Sequence, residues 1–141
     1  MTADKKTEAE VMSVWNKFNE AYARRDMTGL LALFLPDTVV IGTGADERRI
    51  GQDEIKMQVE RDWSQSEAAS FRWEWRSISR AGSVAWLAAE GDARIKVDGQ
   101  EMSLPLRATA VLEQRAARWL LAQAHFSFPA AEQAEGESWP A

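Results

Sequence analysis

The amino-acid sequence predicts an α+β fold in which a curved, mostly antiparallel sheet wraps around three N-terminal helices. Apolar residues recur at helical spacing as far as about Gln65, and after Ser66 the spacing changes to the period of two that is typical of strands. A chain that places its helices before its strands usually forms separate helical and sheet layers around one core.

The first helix is predicted from Thr7 to about Arg25. Thr7 and Glu10 have the spacing of a capping box, in which each side chain bonds the backbone amide of the other residue. One face of this helix is apolar at three- and four-residue spacing, which predicts burial of Val11, Val14, Trp15, Phe18 and Tyr22.

A second short helix is expected to begin after Asp26 and to end at Pro36, because proline cannot continue a helix. Asp37–Thr43 then has the composition of a strand. The segment Gly42–Gly51 is rich in turn residues and carries a charged tip. The third helix is predicted over Gln52 to about Gln65, with a buried stripe of Ile55, Val59 and Trp63.

Four strands are predicted in the second half of the chain. They run over Ala69–Ser79, Val84–Val97, Gln100 to about Glu113, and Arg118–Pro129. Asp98-Gly99 is a strong signal for a two-residue hairpin between the second and third of them. A single domain over residues 1–129 is expected, followed by an irregular tail over 130–141 that would pack, if at all, through Trp139.

Composition excludes several classes of function. No apolar run approaches the length needed to span a membrane, and the polar N-terminus lacks a secretory core, so we expect a cytoplasmic protein. A net charge of -5 argues against a nucleic-acid partner. With one histidine and no cysteine we expect no metal site, and no sequence motif for a cofactor is present.

Seven tryptophans are unusual for a chain of 141 residues. Aromatic side chains bury large areas and favour sites that are half apolar. Their number indicates a wide internal cavity, a large subunit interface or a tryptophan-rich core.

The Asp98-Gly99 turn sets the pairing of its two strands, because Val97 must then lie opposite Gln100. In that register Glu90 meets Arg107. One face carries this pair with Trp86, Ala88, Thr109 and Val111, and the other is uniformly apolar: Ala85, Leu87, Ala89, Gly91, Leu106, Ala108, Ala110 and Leu112. Patterning alone favours the apolar face as the core, although a dimer could also bury it.

Three segments resemble the SnoaL-like branch of the nuclear transport factor 2-like superfamily: the helix Asp26–Phe34, the loop DTVVIGTGADERRIG, and the closing stretch Arg107–Ser127. The resemblance implies a cone-shaped half-barrel, a pocket between its concave sheet and the helices, and homodimers formed through the other sheet face. The superfamily includes isomerases, cyclases and hydrolases, and also non-catalytic modules such as the association domain of calcium/calmodulin-dependent kinase II.

The ketosteroid isomerases of the same superfamily resemble the chain without gaps at their catalytic positions. Their hydroxyl donor corresponds to Phe18, their proton-shuttling base to Gly42 and their oxyanion-stabilising aspartate to Thr109, so none of the required groups is present. The resemblance implies that the face with Trp86, Glu90, Arg107, Thr109 and Val111 lines the cavity. In the last strand it assigns Ala122, Ala124 and Phe126 to the cavity, and Gln123, His125 and Ser127 to the outer, dimer-forming face.

Arg107 is then the predicted clamp for an acidic group of a small ligand, and Glu90 is either its counter-ion or an acid-base group. The predicted pocket residues are Trp15, Phe18, Tyr22, Trp63, Trp86, Thr109, Ala122 and Phe126, although tryptophan and tyrosine at such positions are more often core residues than ligand contacts. Asp46 and Glu47 could reach over the pocket mouth or be solvated loop charges. The expected function is binding of a small organic molecule, and the resemblance leaves open whether an isomerase, cyclase or hydrolase activity accompanies it. The alternative is a non-catalytic oligomerisation module.

Overall fold

The computed structural model describes residues 2–141. Its elements, in chain order, are α1 (Lys5–Arg24), α2 (Met27–Leu31), β1 (Phe34–Ile41), β2 (Arg48–Ile50), α3 (Gln52–Ser64), β3 (Ala68–Ala81), β4 (Val84–Val97), β5 (Gln100–Arg115) and β6 (Arg118–Ser127). Within residues 2–141, no helix is long and apolar enough to cross a membrane.

One six-stranded sheet, with the strand order β2-β1-β6-β5-β4-β3, forms the frame of the molecule. β1 runs parallel to β6, and all other neighbouring strands are antiparallel. α1 packs against β3 and β6, and α3 packs against β1 and β2. The predicted α+β class, with helices on one side of a mostly antiparallel sheet, is confirmed.

The hairpin between β4 and β5 has the predicted register. Val97 lies opposite Gln100, and the pairing continues through Glu90 and Arg107. The turn residues Asp98 and Gly99 have φ angles of 51° and 76°. Positive φ at both positions matches the right-handed twist of the flanking strands, which is why Asp-Gly suits this turn.

The helices cover the apolar face of the sheet, which we call the inner face. Its buried residues on β4 and β5 include Leu87, Ala108 and Leu112, and they pack with Val11 and Trp15 of α1 in one core. The prediction that the opposite, outer face of these strands lines the cavity is therefore wrong. Burying a continuous row of alanines and leucines under amphipathic helices removes more apolar surface from water than burying the mixed face would.

The strand pairing shifts its register at three places, one of which lies between Phe34 and Val39 where β1 pairs with β6. Between Trp73 and Trp75 the pairing of β3 with β4 shifts, and Gly91 lies opposite this point. A Cβ atom at Gly91 would overlap the backbone carbonyl of Arg72, so the close approach of the two strands requires glycine here. The third shift, at Val111 and Leu112, leaves Ala122 as the extra residue of β6.

The ends of the first two helices differ from the prediction. α1 begins at Lys5, and its N-cap is Asp4, whose carboxylate accepts a hydrogen bond from the Thr7 amide at 2.7 Å. The Thr7 hydroxyl is buried and accepts a hydrogen bond from Arg80 at 2.7 Å. α2 is capped by Asp26 as predicted but ends at Leu31, because the following residues pair with β6 as β1.

β1 includes Pro36, which the sequence pattern predicts at a helix end. Thr38 anchors the strand: its buried hydroxyl lies 2.6 Å from the Leu121 carbonyl and 2.7 Å from the Leu35 carbonyl. β2 falls inside the segment predicted to be a turn. In the tail, the Trp139 side chain is 80% exposed and does not anchor the segment.

Candidate functional site

A cavity of about 300 Å³ lies between the inner face of the sheet and the helices. α1 and α2 contribute Phe18, Tyr22 and Leu30, and α3 contributes Ile55 and Val59. The sheet closes the other side with Phe34, Val40, Phe71, Ala93, Ile95, Leu106 and Phe126. Most of the wall is therefore apolar, as is usual for sites that hold small organic molecules.

Three phenylalanines from three different elements form what we call the aromatic floor: Phe18, Phe71 and Phe126. The centroid of the Phe18 ring lies 6.0 Å from that of Phe71 and 5.9 Å from that of Phe126. The planes of Phe18 and Phe71 are within 4° of parallel. Because α1, β3 and β6 each supply one ring, packing of the helices onto the sheet builds this floor.

Polar side chains gather at one end of the cavity, which we call the polar end: Tyr22, Glu47, Arg49, Gln58 and Asp62. The Tyr22 hydroxyl donates to one Asp62 oxygen at 2.9 Å, and the Gln58 amide donates to the other at 2.8 Å. The carbonyl oxygen of the same amide accepts from Arg49 Nε at 3.0 Å. The oxygen and the nitrogen of the Gln58 amide each have a partner. The hydrogen bonds therefore fix the orientation of Gln58 relative to both Arg49 and Asp62.

Glu47 enters the polar end from the loop between β1 and β2. Its side chain is 18% exposed, and its carboxylate lies 3.6 Å from Arg61. Burial, and then the negative charge of Asp62, raise the pKa of this carboxyl above its ordinary value, against the opposing effects of the Gly44 amide and Arg61. Glu47 therefore keeps its proton to a higher pH than an exposed glutamate does.

Two glycines make room for this carboxylate. A Cβ atom at Gly42 or at Gly44 would overlap one of the two Glu47 carboxylate oxygens. The space that a side chain at position 42 would occupy is thus filled by Glu47. The neighbouring Asp46 points outward instead, and its hydrogen bond from Arg61, at 2.8 Å, lowers its pKa.

Burial, followed by the charge of Asp62, also raises the pKa of Tyr22. Its hydroxyl is consequently a permanent hydrogen-bond donor at physiological pH. The polar end therefore combines a fixed donor with a carboxyl that can change its protonation state.

Several predicted pocket residues lie at or near this cavity. Phe18, Tyr22 and Phe126 line it. Trp15 and Trp63 lie one layer behind the wall, with ring centroids 6.2 Å from Phe126 and 6.0 Å from Tyr22, respectively. Contact of any of these residues with a ligand stays a prediction.

The predicted Arg107 and Glu90 site does not lie in the cavity. Both side chains are exposed on the outer face, as are Trp86 and Thr109. The resemblance to ketosteroid isomerases implied the wrong face, whereas the apolar pattern of the strands indicated the right one. Ala122, also predicted to line the pocket, is the bulged residue of β6 and is not part of the cavity wall.

His125 lies on the outer face, opposite Thr109, and Ser127 lies opposite Arg107. Gln123 lies opposite Val111 on the same face. The structure thus brings the three predicted dimer-face residues together with Arg107 and Thr109, but away from the cavity. Their contact with a second subunit stays a prediction.

Sequence reasoning missed Arg49, Gln58 and Asp62. The signal was present in α3, where Ile55, Gln58, Val59 and Asp62 have the spacing of one helix face. Two polar residues within an otherwise buried stripe indicate a site. Within residues 2–141, no three His, Asp or Glu side chains are grouped to hold a metal ion.

The family of SnoaL-like domains matches residues 11–131 of the chain. A search of curated proteins found no match. Among solved structures, a nuclear transport factor 2-like protein from Salmonella enterica is similar with a TM-score of 0.83 and 18% identity, covering 97% of this chain and 100% of that one.

Two further structures carry names that refer to dehydratases. A candidate dehydratase of the nuclear transport factor 2-like family from Streptomyces avermitilis has a TM-score of 0.82 and 17% identity, covering 92% of this chain and 100% of that one. A candidate scytalone dehydratase from Novosphingobium aromaticivorans has a TM-score of 0.79 and 13% identity, covering 87% and 84%. Identities this low establish a common fold. The family match over residues 11–131 shows that this protein belongs to the SnoaL-like domain family.

Proposed function

We propose that the domain binds a small, largely apolar organic molecule in the cavity and transfers a proton to or from it through Glu47. The observation that carries the proposal is the partly buried carboxyl of Glu47 at the polar end of a cavity whose wall is mostly apolar. The aromatic floor would receive the ring or hydrocarbon part of the ligand. The polar functional group of the ligand would then lie at the polar end of the cavity.

The position of Glu47 supports a catalytic role. The resemblance to ketosteroid isomerases places their proton-shuttling base at Gly42, and here Glu47 fills the space beside that glycine. A carboxyl with a raised pKa can act as a general acid or as a general base near neutral pH. Isomerisation, cyclisation, hydrolysis and the dehydration named for two similar structures all need such a group.

Binding is tested with 2-ethylnaphthalene, a hydrocarbon of suitable size that needs no polar partner. Ala69 lines the cavity, whereas its neighbour Ala68 is exposed on the other side of β3. We expect Ala69→Phe to weaken binding about tenfold or more by occupying the space, and Ala68→Phe to leave it unchanged. Equilibrium dialysis measures both; equal affinity of the two variants, or no binding by the unaltered chain, would contradict the proposal.

We also propose that the protein forms a homodimer through the outer face. Trp75 and Trp86 on this face are 52% and 40% exposed. Large aromatic side chains in a partly polar surface are typical of subunit interfaces. The oligomerisation module remains the alternative reading, but the open cavity with its polar end favours a ligand.

A further inference from the structure

Arg49 carries hydrogen-bond donors that the protein itself does not use. It lies on β2 opposite Val40, and both residues line the cavity. Its Nε atom donates to Gln58, but within residues 2–141 its two terminal amino groups have neither a hydrogen-bond acceptor nor a carboxylate partner. The hydrogen bond to Gln58 sets the orientation of the guanidinium and leaves its terminal amino groups free. Those groups can donate to an oxygen atom of a ligand.

Other arginines near the cavity are already engaged. Arg61 donates to Asp46 at 2.8 Å, and Arg25 donates to the carbonyl oxygens of Trp63 and Ser66, both at 2.8 Å. Arg49 differs because its partner, Gln58, is a buried amide rather than a carboxylate. Its positive charge therefore remains available to the cavity.

The charges of the polar end limit the kind of oxygen that fits. Glu47 and Asp62 line the same end as Arg49. A ligand carboxylate would meet two carboxyl groups and one guanidinium, whereas a neutral carbonyl oxygen would accept from Arg49 without that repulsion. Negative charge that develops on the carbonyl oxygen during proton transfer would then be stabilised by the guanidinium.

We propose that Arg49 determines specificity by donating to the carbonyl oxygen of a small, largely apolar ketone or aldehyde whose hydrocarbon part lies on the aromatic floor. This assignment rests on the proposed function, since it names the ligand class of the same cavity. Glu47 then faces the functional group at the same end. The substrate class differs from the acidic ligand expected from Arg107.

The test compares three probes of similar shape: 2-ethylnaphthalene, 2-acetylnaphthalene and 2-naphthoate. Equilibrium dialysis of the full chain at neutral pH gives their dissociation constants. We expect the ketone to bind about tenfold or more tightly than the hydrocarbon, and more tightly than the carboxylate, because it gains a charge-assisted hydrogen bond. Arg49→Met should remove this preference.

Arg48→Met is the matched control, because Arg48 precedes Arg49 on β2 and is exposed. It should retain the full preference for the ketone. Equal affinity of the unaltered chain for ketone and hydrocarbon, tighter binding of 2-naphthoate than of the ketone, or a preserved preference in Arg49→Met would overturn the assignment while leaving cavity binding intact. Failure of all three probes to bind would overturn the proposed function as well.

Discussion

At the scale of single residues, proton transfer in the cavity depends on the protonation of Glu47. Its carboxyl is held in a partly buried site beside Asp62, which raises its pKa, while Asp46 in the same loop has its pKa lowered by Arg61. The pKa values of these two adjacent carboxyl groups are shifted in opposite directions, so the effects of substituting them can be compared within one loop. The linkage between pKa and folding gives the two groups opposite effects on stability.

Glu47→Gln should therefore raise the free energy of unfolding at neutral pH. A carboxyl whose pKa is raised by folding contributes stability below its unfolded pKa and loses that contribution as the pH rises through the folded value. The difference in the free energy of unfolding between the variant and the unaltered chain should shrink as the pH falls below the ordinary pKa of glutamate. Urea unfolding over a pH series measures it.

Asp46→Asn is the control for this prediction. Its folded pKa is lowered, so its stability contribution is present above the unfolded pKa and is lost as the pH falls. The variant should be less stable than the unaltered chain at neutral pH and equal to it in acid. If the two substitutions act in the same direction, the environment assigned to Glu47 is wrong.

At the scale of elements, the sequence predicted those helices and strand pairings that depend on residues close together in the chain. Period-two alternation and the Asp98-Gly99 turn were sufficient to predict the pairing of β4 with β5. The pattern could not reveal β2, whose three residues pair with β1 inside a turn-rich segment. Nor did it reveal that Phe34 would leave the second helix to pair with Leu121, because that choice depends on a distant strand.

The candidate site was harder to predict than the fold. Phe18 and Tyr22 follow from helix periodicity, Phe126 was assigned to the cavity by the resemblance to ketosteroid isomerases, and all three line it. Glu47 was considered, but its inward direction depends on the space left by Gly42 and Gly44. The contact of Glu47 with these glycines depends on the conformation of the loop. The alternating pattern of strands and the spacing of helical residues carry no information about loop conformation.

The bulge in β3 provides a prediction at this scale. Gly91→Ala should lower the free energy of unfolding by about 2 kcal/mol or more, because the new Cβ would overlap the Arg72 backbone, which pairing with β4 holds in place. Gly82→Ala is the control. Gly82 has a φ of 60°, but no atom lies within 4 Å of the place that a Cβ would take, so only its left-handed backbone costs about 1 kcal/mol.

Urea unfolding compares these two variants directly. A loss for Gly91→Ala no larger than that for Gly82→Ala would mean that the strands can separate at the bulge. The close backbone approach would then not be a structural requirement.

At the scale of the whole molecule, the sheet separates two surfaces of different composition. The inner face and the helices enclose the cavity, while the outer face presents Trp75, Trp86 and His125. We expect the chain to sediment as a dimer at micromolar concentration. A stable dimer of this size would bury about 1,600 Å² in total.

Trp86→Glu should raise the dissociation constant of that dimer by about thirtyfold or more, since aromatic residues near the centre of an interface contribute strongly to binding. Trp139→Glu, in the exposed tail, should have no such effect. Analytical ultracentrifugation measures both. A monomeric unaltered chain, or equal dissociation constants for the two variants, would rule out the outer face as the interface.

The central claim is that the cavity with Glu47 and Arg49 at its polar end is a ligand site, and methyl-detected NMR with 2-acetylnaphthalene tests it most directly. Methyl groups of Val40, Ile55 and Leu106 line the cavity, whereas Val111 faces outward. Binding in the cavity predicts saturable shifts of the three cavity methyl signals and an unchanged Val111 signal. Saturable shifts centred on Val111, with the cavity signals unaffected, would contradict it.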